Sequence, residues 1–149
     1  MPTAAKLLEE KANDHRGGEV ATIEPEATVL DAARKMNERR IGSLAVVDGA
    51  GKLIGMFTER DVLTRVVAGE KDAATTRVGD VMTAPVIACP PTARADEMRA
   101  IMREKRIRHL PIVDGKKLVG LISIGDLNLA EAKTLEATVT YLERYMYMP

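Results

Sequence analysis

Apolar residues fall at helical spacing twice along the chain. Val29, Ala32, Ala33 and Met36 follow the i, i+3, i+4, i+7 rhythm of an amphipathic helix, with Arg34, Lys35, Glu38 and Arg39 outward. Ala95, Met98, Ile101 and Met102 carry a matching stripe 66 residues later. After each stripe come two short apolar runs about an Asp-Gly pair, Ile41–Val47 and Leu53–Thr58 around Asp48-Gly49, then Ile107–Val113 and Leu118–Ser123 around Asp114-Gly115. That pattern predicts a β-hairpin each time. A further helix is expected from Thr58, with Val62, Leu63, Val66 and Val67 on its apolar face, and another from Ser123. Val20–Ile23 and Val86–Cys89 read as short strands, stopped by Pro25 and by Pro90-Pro91. Pro25 and Pro91 lie 66 residues apart and Asp61 and Asp126 lie 65 apart, so the first hairpin turn carries one extra residue. An internal repeat of this kind decides the architecture: an α/β fold built from one unit used twice. A single unit of this size buries a marginal core, so the two are expected to pack face to face.

The remaining segments extend this frame. Residues 3–13 are rich in helix formers, with Thr3 as N-cap and Gly17-Gly18 as the stop. The expected organisation is an N-terminal helical extension (1–19), repeat one (20–70), a linker (71–82) that includes a helical turn at Val78–Met82, repeat two (83–130) and a C-terminal helix (131–149). In that last helix Ala132, Leu135, Val139, Leu142 and Met146 are spaced 3, 4, 3, 4, a narrow seam suited to another helix, either in a second copy or in its own domain. Met36, Met98 and Met102 read as gap-filling core.

Composition removes several functions. The 22 basic and 22 acidic residues leave no net charge to favour nucleic acid or an anionic membrane. Trp is absent and aromatics number three Tyr and one Phe, too few for a base-stacking platform. One cysteine, Cys89, and two histidines, His15 and His109, make neither a disulfide framework nor a metal set. The N-terminus lacks the apolar core of a signal peptide and no apolar run nears membrane-spanning length, so a soluble cytoplasmic protein is expected. No nucleophile–base pair or glycine-rich phosphate loop is present, and no catalysis is expected.

Two constellations carry chemistry. Thr58-Glu59-Arg60-Asp61 and Ser123-Ile124-Gly125-Asp126 each sit where a strand gives way to a helix. Both match a capping box, although Asp is shorter than the preferred Glu. The same geometry offers amide donors to an anion and a carboxylate to both hydroxyls of a ribose, and the two readings are compatible. Arg108 and His109 open a strand in which His109, Pro111 and Val113 share a face. They can hold a phosphate, arginine through two parallel hydrogen bonds, or simply continue the solvated basic run Arg103–Arg106. Repeat one has Gly42-Ser43 in their place and Arg60 where repeat two has Gly125, so the two sites are not equivalent.

These phrases, repeated in register over residues 20–130, resemble the cystathionine-β-synthase (CBS) domain family, whose tandem pair is a Bateman module. The resemblance implies two β-α-β-β-α repeats packed pseudo-symmetrically and clefts that bind adenosine-containing ligands: AMP first, with ATP, NAD(H) or S-adenosylmethionine as alternatives. The candidate binding residues it implies are Val20 and Val86 for adenine, Thr83 beside them, Thr58, Arg60, Asp61, Ser123, Gly125 and Asp126 at the helix starts, Arg108 and His109 for phosphate, and Pro111 on the same strand. It also implies a homodimer and a protein target in trans. The competing expectation is a structural or redox-interaction protein, in which Cys89 is the sole thiol to work with.

Overall fold

The structure, a computed structural model, describes residues 1–13, 20–132 and 142–144. The repeat is plain in it. In repeat one, β1 (Thr22–Ile23) runs parallel to β2 (Ser43–Val47), which pairs antiparallel with β3 (Leu53–Thr58). Helix α2 (Val29–Arg39) crosses between β1 and β2, and α3 (Glu59–Asp61) follows β3. In repeat two, α5 (Ala95–Lys105) precedes the hairpin β4 (His109–Asp114) and β5 (Lys117–Ser123), and α6 (Ile124–Glu131) follows it. Helices α2 and α5 end alike: Arg40 and Arg106, 66 residues apart, both adopt the left-handed conformation as C-caps. The next amide then closes the helix, Ile41 onto the Met36 carbonyl and Ile107 onto that of Met102, each at 3.0 Å.

Three local expectations are corrected. The strand expected at Val86–Cys89 is only a single bridge, Cys89 to Ile112, because the Pro90-Pro91 pair follows at once. The first strand of repeat one is shortened to Thr22–Ile23. The helix after Thr58 widens into a π-helical stretch, Val62–Val67, closed by the Ala68 amide on the Leu63 carbonyl at 3.0 Å. This shifts the face it presents: Val66 is buried, whereas Leu63 and Val67 are 63% and 64% exposed.

Each repeat has its own core. Met36, Leu44, Val46, Phe57 and Val66 lie in the first, and Met98, Met102, Leu110, Ile112 and Ile122 in the second, which places the methionines where gap-filling predicts. The helices before each repeat are exchanged. Helix α4 (Val78–Val81), in the segment read as a linker, docks on repeat one through the amides of Val78 on Ala27 (2.8 Å) and Gly79 on Pro25 (2.9 Å). Helix α1 (Ala4–Asn13) docks on repeat two through Ala4 on Ala93 (2.7 Å) and Ala5 on Pro91 (2.9 Å). The acceptors differ by 66 in each pair, so α1 and α4 are structural counterparts. Gly17-Gly18, His15 and the seam positions Leu135, Val139 and Met146 lie outside the described residues. Among the described residues, no helix is long and apolar enough to cross a membrane.

Candidate functional site

Both helix starts close as full capping boxes. The Thr58 amide donates to Asp61 Oδ2 at 3.0 Å and the Asp61 amide to Thr58 Oγ1 at 3.3 Å. Ser123 and Asp126 repeat this at 2.8 and 3.1 Å. The shorter carboxylate therefore suffices, and the doubt raised by its length is resolved.

What lies over the two carboxylates differs, and the exchanged helices explain why. Gly55 in β3 and Gly120 in β5 each sit under a side chain from its docked helix: a Cβ would meet Met82 Sδ at 2.4 Å in the first and Leu8 Cδ1 at 2.4 Å in the second. Helix α4 stops there. Pro85 disfavours helix at the residue before it, and the chain runs extended, with Thr83 bridged to Met56. Thr83 Oγ1 donates to Asp61 Oδ1 at 3.0 Å, and Arg65 Nε lies 3.5 Å from the same oxygen. Helix α1 has no such stop: Ala4-Ala5-Lys6-Leu7-Leu8-Glu9-Glu10-Lys11 are mostly strong helix formers. Its extra turns carry Lys11 onto the second site, where Nζ donates to Asp126 Oδ2 at 2.9 Å and to the Leu121 carbonyl at 3.2 Å.

An open cleft of about 530 Å³ results over Asp61, between the repeats. Seven sequence candidates line it: Thr58, Arg60, Asp61, Thr83, Val86, Arg108 and His109. Five do not. Val20 precedes β1 and is half-buried away from the cleft; Pro111 is buried in β4 opposite Leu121. Ser123 and Asp126 are engaged with each other and with Lys11, and Gly125 is exposed on α6 beside them. Sequence reasoning passed over Glu59 and Lys105, which also line the cleft, and Lys11. Glu59 was legible as a member of the first capping motif, whereas no local pattern ties Lys11 to a carboxylate 115 residues away.

Electrostatics follow from these neighbours. Burial lowers the His109 pKa, Lys11 and Arg108 lower it further, and Glu59 and Asp126 oppose the shift. Burial pushes the Asp126 carboxyl up, but the Ser123 amide and hydroxyl and the Lys11 ammonium outweigh it and hold the group below its usual range. Burial raises the Cys89 thiol, with Glu97 adding to the shift, so at neutral pH it stays protonated and unreactive. Among the described residues no group of His, Cys, Asp and Glu could hold a metal ion. The cleft is lined by Thr58, Asp61 and Thr83 together with Arg108 and His109; the Asp61 carboxylate is buried, its Oδ2 held by Thr58 and its Oδ1 by Thr83 and Arg65.

Comparison with known proteins gives the family and the fold. The CBS domain model matches residues 17–68 and 78–133. The CBS domain-containing protein YhcV of Bacillus subtilis is 37% identical over 109 residues, which cover 73% of this chain and 76% of that protein. Among solved structures, a CBS-domain protein from Burkholderia ambifaria superposes with a TM-score of 0.82 at 43% identity, over 89% of this chain and 96% of its own. CBSX2, solved in complex with AMP, shares the fold at a TM-score of 0.72 and 20% identity, over 89% of this chain and 98% of its own.

Proposed function

The chain belongs to the CBS domain family, and on that premise we propose that its Asp61 cleft binds an adenosine-containing ligand and that the protein is a regulatory module. Paired CBS domains are commonly regulatory modules for such ligands, and CBSX2 was solved with AMP. One observation carries the reading for this chain: the cleft gathers Thr58 and Asp61 from repeat one with Thr83, Val86, Arg108 and His109 from repeat two. Asp61 accepts the ribose hydroxyls, Val86 offers an apolar surface to adenine, and Arg108 and His109 face the phosphate. AMP is the first choice; ATP, NAD(H) and S-adenosylmethionine share the adenosine.

A ligand held by both repeats acts on their relative packing only so far as it binds two arrangements with different affinity. The output passes in trans to a protein target, through a homodimer whose contact includes the exposed Leu63 and Val67. The module is regulatory rather than catalytic, and a cytoplasmic setting fits this role. The rival redox reading needs a reactive thiol, and Cys89 is buried with a raised pKa.

The test is a melting curve with and without AMP. At about 100 times its dissociation constant, AMP stabilises the fold by about 2.7 kcal/mol, a shift of several degrees. An unchanged melting temperature with AMP, ATP, NADH and S-adenosylmethionine alike sinks the proposal.

A further inference from the structure

The carboxylate at the centre of the cleft is already engaged. Asp61 Oδ2 accepts from the Thr58 amide at 3.0 Å and hydroxyl at 3.2 Å, and Oδ1 accepts from Thr83 Oγ1 at 3.0 Å. Arg65 Nε lies 3.5 Å from Oδ1, and its Nη1 donates to the Met82 carbonyl at the end of α4 at 2.9 Å. Arg65 belongs to the π-helical stretch Val62–Val67, so one side chain ties that stretch both to the cleft carboxylate and to the docked helix. Each carboxylate oxygen accepts about two hydrogen bonds, so a ribose hydroxyl enters by displacing one of these donors. Arg65, half-exposed and the longest of the contacts, is the one most easily displaced.

The stretch that Arg65 fastens is in a rare register, of a kind that recurs at functional sites. The Ala68 amide closes on the Leu63 carbonyl, five residues back, at 3.0 Å, and the chain then turns at Glu70 with a φ of 55°. Gly69 makes room for this: a Cβ there would meet the Arg65 carbonyl oxygen at 2.5 Å. Repeat two supplies the comparison. At the positions 65 residues further on, Ala130 stands for Arg65 and Thr134 for Gly69. There α6 is an ordinary α-helix, and the Ala132 amide closes on the Asn128 carbonyl, four residues back, at 2.9 Å. The same element thus occurs in both registers, and the copy with an arginine on its carboxylate and a glycine at its end takes the wider one.

We infer that this stretch is a ligand-operated switch: ribose hydroxyls on Asp61 displace Arg65, the stretch returns to the α-helical register, and its exposed apolar face is withdrawn from the second copy. A one-residue change of register turns the far end of a helix by about 100°. That turn carries Leu63 and Val67 towards the buried positions that a 3.6-residue period gives them. The inference rests on the adenosine reading of the cleft and on the homodimer contact proposed with it. It adds the direction of the coupling: ligand and dimer oppose each other. By linkage, AMP weakens the dimer by the same factor as dimerisation weakens AMP binding. Gly69 does not line the cleft, which makes it the position to change.

The experiment is calorimetric titration of AMP, with sedimentation equilibrium in its presence and absence, on wild type, Gly69→Ala and Arg65→Gln. In wild type AMP should raise the dimer dissociation constant by about tenfold, an ordinary size for coupling between sites. Gly69→Ala forces the narrower register and Arg65→Gln unfastens the wider one. Both should bind AMP several-fold more tightly, dimerise more weakly without it, and lose most of its effect on the dimer. A wild-type dimer constant unmoved by AMP, or variants with wild-type affinity for AMP, overturns the inference and leaves the adenosine cleft standing. Weaker AMP binding in Arg65→Gln makes Arg65 a ligand contact and overturns it too. If Gly69→Ala does not fold, Arg65→Gln decides by the same readouts. A monomeric wild type overturns the dimer contact and the inference with it. Absence of heat from AMP in all three proteins overturns the adenosine reading and the inference together.

Discussion

The proposed phosphate contact bears on the protonation of His109. In the free protein burial, Lys11 and Arg108 lower its pKa while Glu59 and Asp126 work the other way, so the imidazole is neutral at pH 7. A ligand phosphate brought beside it favours the imidazolium and raises the pKa. Binding therefore takes up a proton between the lowered free value and the raised bound one, and affinity grows as pH falls through that window. Stability behaves separately: with the folded pKa below the unfolded value of about 6.5, His109's contribution is complete above pH 6.5 and is lost as pH falls from there towards the folded pKa. AMP titrations near pH 6.5 in two buffers of different ionisation enthalpy should show proton uptake in wild type that is reduced in His109→Gln. Equal uptake in both proteins would show that the proton goes elsewhere, for example to the phosphate itself.

At the scale of elements, most of the fold was legible because it rests on local rules. The 3.6-residue stripes placed α2 and α5, and the Asp-Gly turns placed both hairpins. What was not legible depends on residues far apart in sequence. The docking of α1 on repeat two is set by backbone bonds to Pro91 and Ala93, and nothing near residue 11 announces Asp126. The sequence differences already made the sites at Asp61 and Asp126 inequivalent, but not how: a proline at 85 follows the end of one docked helix, whereas the other continues to Lys11 and Asp126. The π-helical stretch was missed for a related reason: a period-3.6 reading buries Leu63 and Val67, and one widened turn exposes them. That exposure carries a prediction. The two side chains stand four residues apart on one face, and the double variant Leu63→Glu/Val67→Glu should convert the proposed homodimer to a monomer of 16.2 kDa in sedimentation velocity without altering the circular dichroism spectrum. A wild-type protein that already sediments as a monomer would contradict the assignment of this face.

For the whole molecule, two-fold repetition leaves the two helix starts covered differently among the described residues: Thr83 and Arg65 lie against Asp61, and Lys11 against Asp126. Exchange of the preceding helices ties the repeats together, so each carries a segment that the chain delivers from outside it. The cleft over Asp61 lies where the two meet, which is where a ligand can affect their relative packing. The central claim is thus a matter of place and number: one adenosine ligand per chain, at Asp61. It is tested most directly by calorimetric titration of AMP into wild type, Asp61→Asn and Asp126→Asn, each shown to be folded by circular dichroism. The account predicts a stoichiometry of one in wild type, binding lost in Asp61→Asn and retained in Asp126→Asn. Binding that survives in Asp61→Asn and disappears in Asp126→Asn would contradict it.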